Sequence, residues 1–136
     1  MKNGGYTGPP VASYDVTVGT AVVPPTADNL KVFMNQVLKE LVNIDDSVYF
    51  REPVDTEEVP DYYDIIKNPM DLQTMQKRVE TGKYYITLEI FLADLKRIWA
   101  NAKHYNGEET IFAKAANQLD RFVDQYLLSR LHHRTA

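Results

Sequence analysis

Residues 51–70 read REPVDTEEVPDYYDIIKNPM, and their setting decides the fold. They are the heart of a connection from about Asn43 to Met70, with helical spacing on both sides. A connection that long inside a compact domain is uncommon, and is usually either functional or disordered. This one carries Val48, Tyr49, Phe50, Val54, Val59, Tyr62, Tyr63, Ile65 and Ile66, an apolar load that disordered segments lack. Pro53, Pro60 and Pro69 stiffen it, and DYYDII after Pro60 suits a short helical turn. The reading is a rigid loop with apolar side chains free to line something.

Working outward, four segments have one apolar face each. Before the loop, Leu30, Phe33, Met34, Val37, Leu38 and Leu41 recur at spacings of three and four, after an N-cap candidate at Thr26. Beyond it, a second helix opens at Asp71, shows Leu72, Met75 and Val79, and ends before Gly82. A third starts at the N-cap candidate Thr87 and aligns Leu88, Phe91, Leu92, Leu95, Ile98, Trp99 and Ala102. The fourth runs from about Thr110 through Phe112, Ala115, Ala116, Leu119, Phe122, Val123, Tyr126 and Leu127. It fades in LSRLHHRTA, whose positive charge suits a helix C-terminus. Four such helices predict an all-α fold closed as a four-helix bundle. Residues 1–25 are rich in Gly, Pro and Thr. Tyr14, Val16 and Val18 alternate as in a strand, but one strand has nothing there to pair with, so a flexible tail or linker is predicted.

Bulk properties narrow the function. A chain of 136 residues suits one domain, and 44% hydrophobic with 25% charged residues is ordinary for a soluble one. There is no apolar run of membrane-spanning length and no signal-peptide pattern, so an intracellular protein is expected. Cysteine is absent, which excludes disulfides, thiol catalysis and cysteine-based zinc sites. A net charge of −4 argues against gripping nucleic-acid phosphates and favours a basic partner. His104-Tyr105 and Tyr62-Tyr63 can titrate, but no set of nucleophile, base and orienting acid accompanies them, and no phosphate-binding Gly loop exists. Adjacent His132 and His133 cannot both face one metal from a helix, so a solvated tail is expected there, with no metal and no cofactor.

An up-and-down bundle sets the long loop beside the third-to-fourth connection, HYNGEET at 104–110. Asn106-Gly107 stops the third helix, so Asn106 reads either as a turn former or as an amide facing a pocket. A pocket between the loops would have Phe50, Val54, Val59 and Phe112 or Ile111 as apolar walls, with Tyr62 and Asn106 as polar groups. Both polar groups are neutral, so a neutral ligand group is selected. Outside it, Glu52, Asp55, Glu57, Glu58, Asp61 and Asp64 occur without a Lys or Arg between them, and Glu108 and Glu109 add to them. An acidic rim around a neutral hole suits a basic polypeptide with one neutralised side chain; loop solubility is the blander account.

REPVDTEEVPDYYDIIKNPMDLQTMQKRV, then FLADLKRIWANAKHYNGEET and FAKAANQL, closely resemble a bromodomain, the acetyl-lysine reader module. The likeness covers about Asp28 to Leu131, and its PxYYxxIxxPMDLxTM block and YN pair occur in order. Its flavour is closest to bromodomains of nuclear histone acetyltransferases and chromatin remodellers. The resemblance implies a left-handed four-helix bundle over 26–133, with a nuclear location and acetylated histone tails and chromatin complexes as partners. It also implies a monomer without catalysis, with direct DNA contact at most secondary. It implies that Asn106 donates its amide to the acetyl carbonyl and that Tyr62 reaches the same oxygen through water. Phe50 then lies beside the methyl group, Val54 and Val59 form the loop wall, Tyr105 precedes the asparagine, and Phe112 flanks the mouth. Val48, Tyr49, Glu57, Glu58 and Ile111 fall at the rim. Many members carry Trp-Pro-Phe where this chain has Val48-Tyr49-Phe50, and the smaller Val48 is expected to leave that flank more open.

Overall fold

The computed structural model describes residues 13–134. In chain order these form β1 (Tyr14–Val18), β2 (Ala21–Val23), α1 (Ala27–Val42), a 3-10 turn (Asp45–Phe50) and α2 (Tyr62–Ile65). Then come α3 (Leu72–Thr81), α4 (Leu88–Asn106), α5 (Ile111–Arg130) and β3 (Leu131–His133). The bundle helices start where short polar side chains can accept orphan backbone N–H groups. Thr26, Asp71, Thr87 and Thr110 accept from the N–H of Asn29, Thr74, Ile90 and Ala113 respectively. Thr26 and Thr87 were legible as caps, Asp71 and Thr110 as helix starts, and the apolar stripes from their spacing.

The stripes meet in one core. Phe33, Leu41, Leu72, Met75, Phe91, Leu119 and Trp99 are buried within it. Asp94 is also buried, and it accepts from Arg78 Nη1 at 2.9 Å and from the Tyr85 hydroxyl at 2.7 Å. These two bonds fasten α3 and the α3–α4 connection to α4.

The predicted tail is a correction. Residues 1–12 lie outside the described residues, but 14–18 and 21–23 are strands in an antiparallel sheet of order β2-β1-β3. Val16 pairs with Val23 on one side and Leu131 on the other, and is fully buried with Tyr14 close behind. The alternation was real. One partner, β2, follows directly after Gly19-Thr20 and was missed in the sequence; the other, β3, lies beyond α5 at the far end of the chain. Accordingly His132 and His133 are solvent-exposed as expected, but they belong to the strand β3 rather than to a tail. The Thr17 hydroxyl meets His132 Nε2 at 2.7 Å, and Arg134 pairs with Asp15 at 2.6 Å.

This packing makes an alkaline prediction. Burial, aided by the charge of Glu89, pushes the Tyr14 phenol up to about 12 from its ordinary 10.0. Burial and then the hydrogen bond to Asp94 push Tyr85 up as well. A folded state that holds these protons more tightly than the unfolded chain is fully stabilised below the unfolded value and loses that stability as pH rises above it. Urea midpoints are thus expected to hold steady to about pH 10 and to fall from there towards 12. A midpoint unchanged across that interval would contradict the buried phenols.

Candidate functional site

The long connection is held by its own polar groups. Ser47 is fully buried and donates to Ile44 O at 2.7 Å. Arg51 turns back to the end of α1, with Nη2 donating to Val42 O at 3.0 Å and Nε to Ser47 Oγ at 2.9 Å. It thereby supplies donors to carbonyls that a helix end leaves unpaired. Its own carbonyl accepts from Gln73 N at 3.0 Å, tying the loop to α3. Further along, Asp55 Oδ1 accepts from Glu57 N at 2.8 Å, and the Tyr63 hydroxyl donates to Val54 O at 2.7 Å. Asn101 on α4 grips Asn68 O at 2.9 Å. The loop is therefore a fixed wall, as its prolines and apolar residues predicted.

Between that wall and the ends of α4 and α5 lies a cavity of about 170 Å³. Phe50, Val54, Val59, Tyr62, Tyr105, Asn106 and Phe112, all predicted as site residues, line it together. Phe50 packs edge-on to Trp99 with ring centres 5.5 Å apart, which fixes it from behind. Tyr62 is buried against Tyr105 (4.9 Å) and Tyr63 (5.4 Å). Burial first, then Tyr63, raises the Tyr62 phenol above its ordinary value, so it stays a neutral donor and acceptor at pH 7. The Tyr105 hydroxyl reaches across to Asp61 Oδ1 at 2.6 Å, and that bond raises its phenol too.

The backbone bears on the two readings of Asn106. Among the described residues no non-glycine has a positive φ, and Gly107 takes the left-handed step at φ 89° and ψ 157°. Asn106 stays helical, so the turn does not require its side chain. Its Nδ2 donates to Ala102 O at 3.0 Å, which uses one amide N–H and leaves the other N–H and the carbonyl oxygen for a ligand. The turn's demand falls on Gly107 instead. A Cβ there would meet nothing within 4 Å, so Gly107→Ala is expected to cost about 2 kcal/mol through backbone strain alone. Urea unfolding checks this, and a loss below about 0.5 kcal/mol would contradict the assigned backbone.

Of the residues expected at the rim, Tyr49 stands in the cavity wall, 5.0 Å from Phe112 and 6.1 Å from Phe50 between ring centres. Val48 and Ile111 are largely exposed, and they lie off the wall with Glu57 and Glu58. Phe112 thus takes the wall position that spacing left open between it and Ile111. Four lining residues escaped the predicted site: Glu52, Met70, Ile98 and Ala102. Ile98 and Ala102 stand eight and four residues before Asn106, hence on its face of the helix, but apolar periodicity assigned them wholly to the core. Among the lining residues Glu52 is the only charge.

A larger cavity, about 660 Å³, opens between Tyr14, the start of α1 and the α3–α4 connection. It sits at the other end of α4, a helix of 19 residues and so roughly 28 Å long. It holds none of the predicted site residues, and Lys31, Glu89 and Arg134 put both signs of charge on its lining. Convergence of neutral polar groups, rather than size, marks the smaller cavity as the candidate site. Among the described residues no group of His, Cys, Asp and Glu is placed to hold a metal ion, and no helix is long and apolar enough to cross a membrane.

Comparison with known proteins agrees with this architecture. The bromodomain family model matches residues 34–118. A histone acetyltransferase GCN5 from Oryza sativa subsp. japonica is 51% identical over 98 residues, covering 72% of this chain but 19% of the relative. Its counterpart from Yarrowia lipolytica is 43% identical over 90 residues, covering 66% of this chain and again 19% of the relative. The chain therefore spans about a fifth of the length of these curated relatives. Among solved structures, the bromodomain of human BAZ1A superposes with a TM-score of 0.68 at 32% identity, covering 80% of this chain and 95% of that one. CpBRD2 from cryptosporidium gives 0.69 at 38% identity, with 74% and 92% covered. Helix order, the structured loop after the first helix, and the matched sequence block agree with a left-handed four-helix bundle of this kind. The chain belongs to the bromodomain family, whose members read acetyl-lysine.

Proposed function

We propose that this domain binds acetylated lysine in histone tails through the cavity between the loop wall and Asn106. The observation that carries the reading is the convergence there of the spare Asn106 amide, the neutral Tyr62 phenol and apolar walls, with no Lys, Arg or His among the lining residues. A lysine ammonium entering would lose its hydration with no buried anion to compensate, a cost of several kcal/mol. Acetylation removes that charge and offers a carbonyl acceptor and a methyl group. In this reading the carbonyl accepts from Asn106 and, through an ordered water, from Tyr62, while the methyl packs on Phe50 and Val54. The reading makes the domain a non-catalytic, monomeric nuclear module of chromatin. Any acetyl transfer by a parent protein like the GCN5 relatives would belong to another region of that protein.

One buried hydrogen bond and one small apolar contact leave little after ordering costs, so binding on the order of micromolar or weaker is expected for one mark. Calorimetric titration with paired histone-tail peptides, acetylated and plain, tests this. The acetylated peptide is expected to bind and the plain one not, and Tyr62→Phe to weaken binding roughly three- to tenfold. Equal binding of the two peptides would sink the reading.

A further inference from the structure

We infer that Tyr49 and Glu52 form a second subsite at the mouth of the cavity that selects a cationic side chain next to the acetyl-lysine. The inference rests on the reading above and extends it from one side chain to its neighbour. Tyr49 and Glu52 line the same cavity as Asn106, and both remain open to solvent, Tyr49 with 42% of its surface. The T-shaped contacts with Phe112 and Phe50 hold the Tyr49 ring in place, so little ordering is left for a ligand to impose. Glu52 forms no salt bridge among the described residues. The cation beside it in sequence, Arg51, is already committed to Val42 O, Ile44 O and Ser47. An electron-rich ring and an uncompensated carboxylate beside one opening are the two elements that hold a Lys or Arg head group. The buried part of the cavity rejects a cation while its mouth attracts one. A ligand with one neutral acyl-lysine and an adjacent charged residue satisfies both.

The test uses four peptides in calorimetry: acetylated or plain lysine, each with Arg or its neutral isostere citrulline at the adjacent position. With the wild-type chain, the acetylated Arg peptide is expected to bind roughly three- to tenfold tighter than the acetylated citrulline peptide. In Glu52→Gln and in Tyr49→Leu that ratio is expected to fall towards one. Asp64→Asn, an exposed acid outside the cavity wall, removes the same charge as Glu52→Gln and is expected to keep the ratio. A wild-type ratio of one, or an equal drop in Asp64→Asn, would overturn the subsite while acetyl-dependent binding persists. Loss of acetyl dependence itself would instead overturn the reader function.

Discussion

Asn106→Ala is expected to weaken acetylated-peptide binding roughly 10- to 100-fold while leaving the chain folded. The change removes the one amide that both lines the cavity and has an N–H to spare. In the proposed binding mode it also leaves the buried acetyl carbonyl with the water-mediated bond to Tyr62 alone, which is why the loss exceeds the net value of a typical hydrogen bond. The fold loses only the bond to Ala102 O at the last turn of α4, so the urea midpoint should move little. Asn106→Asp separates shape from donation. It preserves volume but cannot donate when ionised, and it places a charge in an apolar wall, so it is expected to bind no better than the alanine variant. Calorimetry with the acetylated peptide reads both. Wild-type affinity in Asn106→Ala would return Asn106 to the role of a helix-ending residue and remove the basis of the proposed site.

The second large effect concerns stability. Val16 is fully buried, in the strand at the centre of the small sheet. Val16→Asp forfeits about 2 kcal/mol of apolar burial and, with β1 kept in place, would desolvate a carboxylate at several kcal/mol more. The chain has an escape: β1 can detach, after which the cost is limited to what the sheet contributes through Tyr14, Val16 and their pairing. A net loss of roughly 3–5 kcal/mol is therefore expected, with hydrogen exchange quickening from Tyr14 to Val23 and from Leu131 to His133 before the helices open. A loss below about 1 kcal/mol would mean that these strands do not hold the bundle.

The two experiments probe regions that differed in legibility. Around the cavity, the sequence was informative because its signals were local or followed from helix periodicity. Caps at Thr26, Asp71, Thr87 and Thr110, the stiff aromatic loop, and the stop at Asn106-Gly107 each depend on residues within a few positions. An up-and-down bundle then leaves the long loop no place but beside the α4–α5 turn. Where the reading stopped short, the cause was geometric. Glycine rather than asparagine takes the left-handed step, and Ile98 and Ala102 serve the cavity as well as the core.

By itself the sequence determined four helices and where each begins, a rigid apolar loop and the neutral polar residues Tyr62 and Asn106. Helix boundaries and stripes repeat every few residues, so each is written within its own segment. Only the tertiary structure decided that Tyr14–Val18 is the central strand of a sheet: β2 adjoins it in sequence, but a lone hairpin is marginal, and the second partner β3 follows α5, pairing Tyr14 with His133 across nearly the whole chain. Tertiary packing also decided that Tyr49, rather than Val48 or Ile111, faces the cavity, through ring contacts with Phe112 on another element. A two-stranded hairpin alone has little stability to signal, and a side chain's direction in a loop is set by what it packs against. Both are properties of the assembled chain.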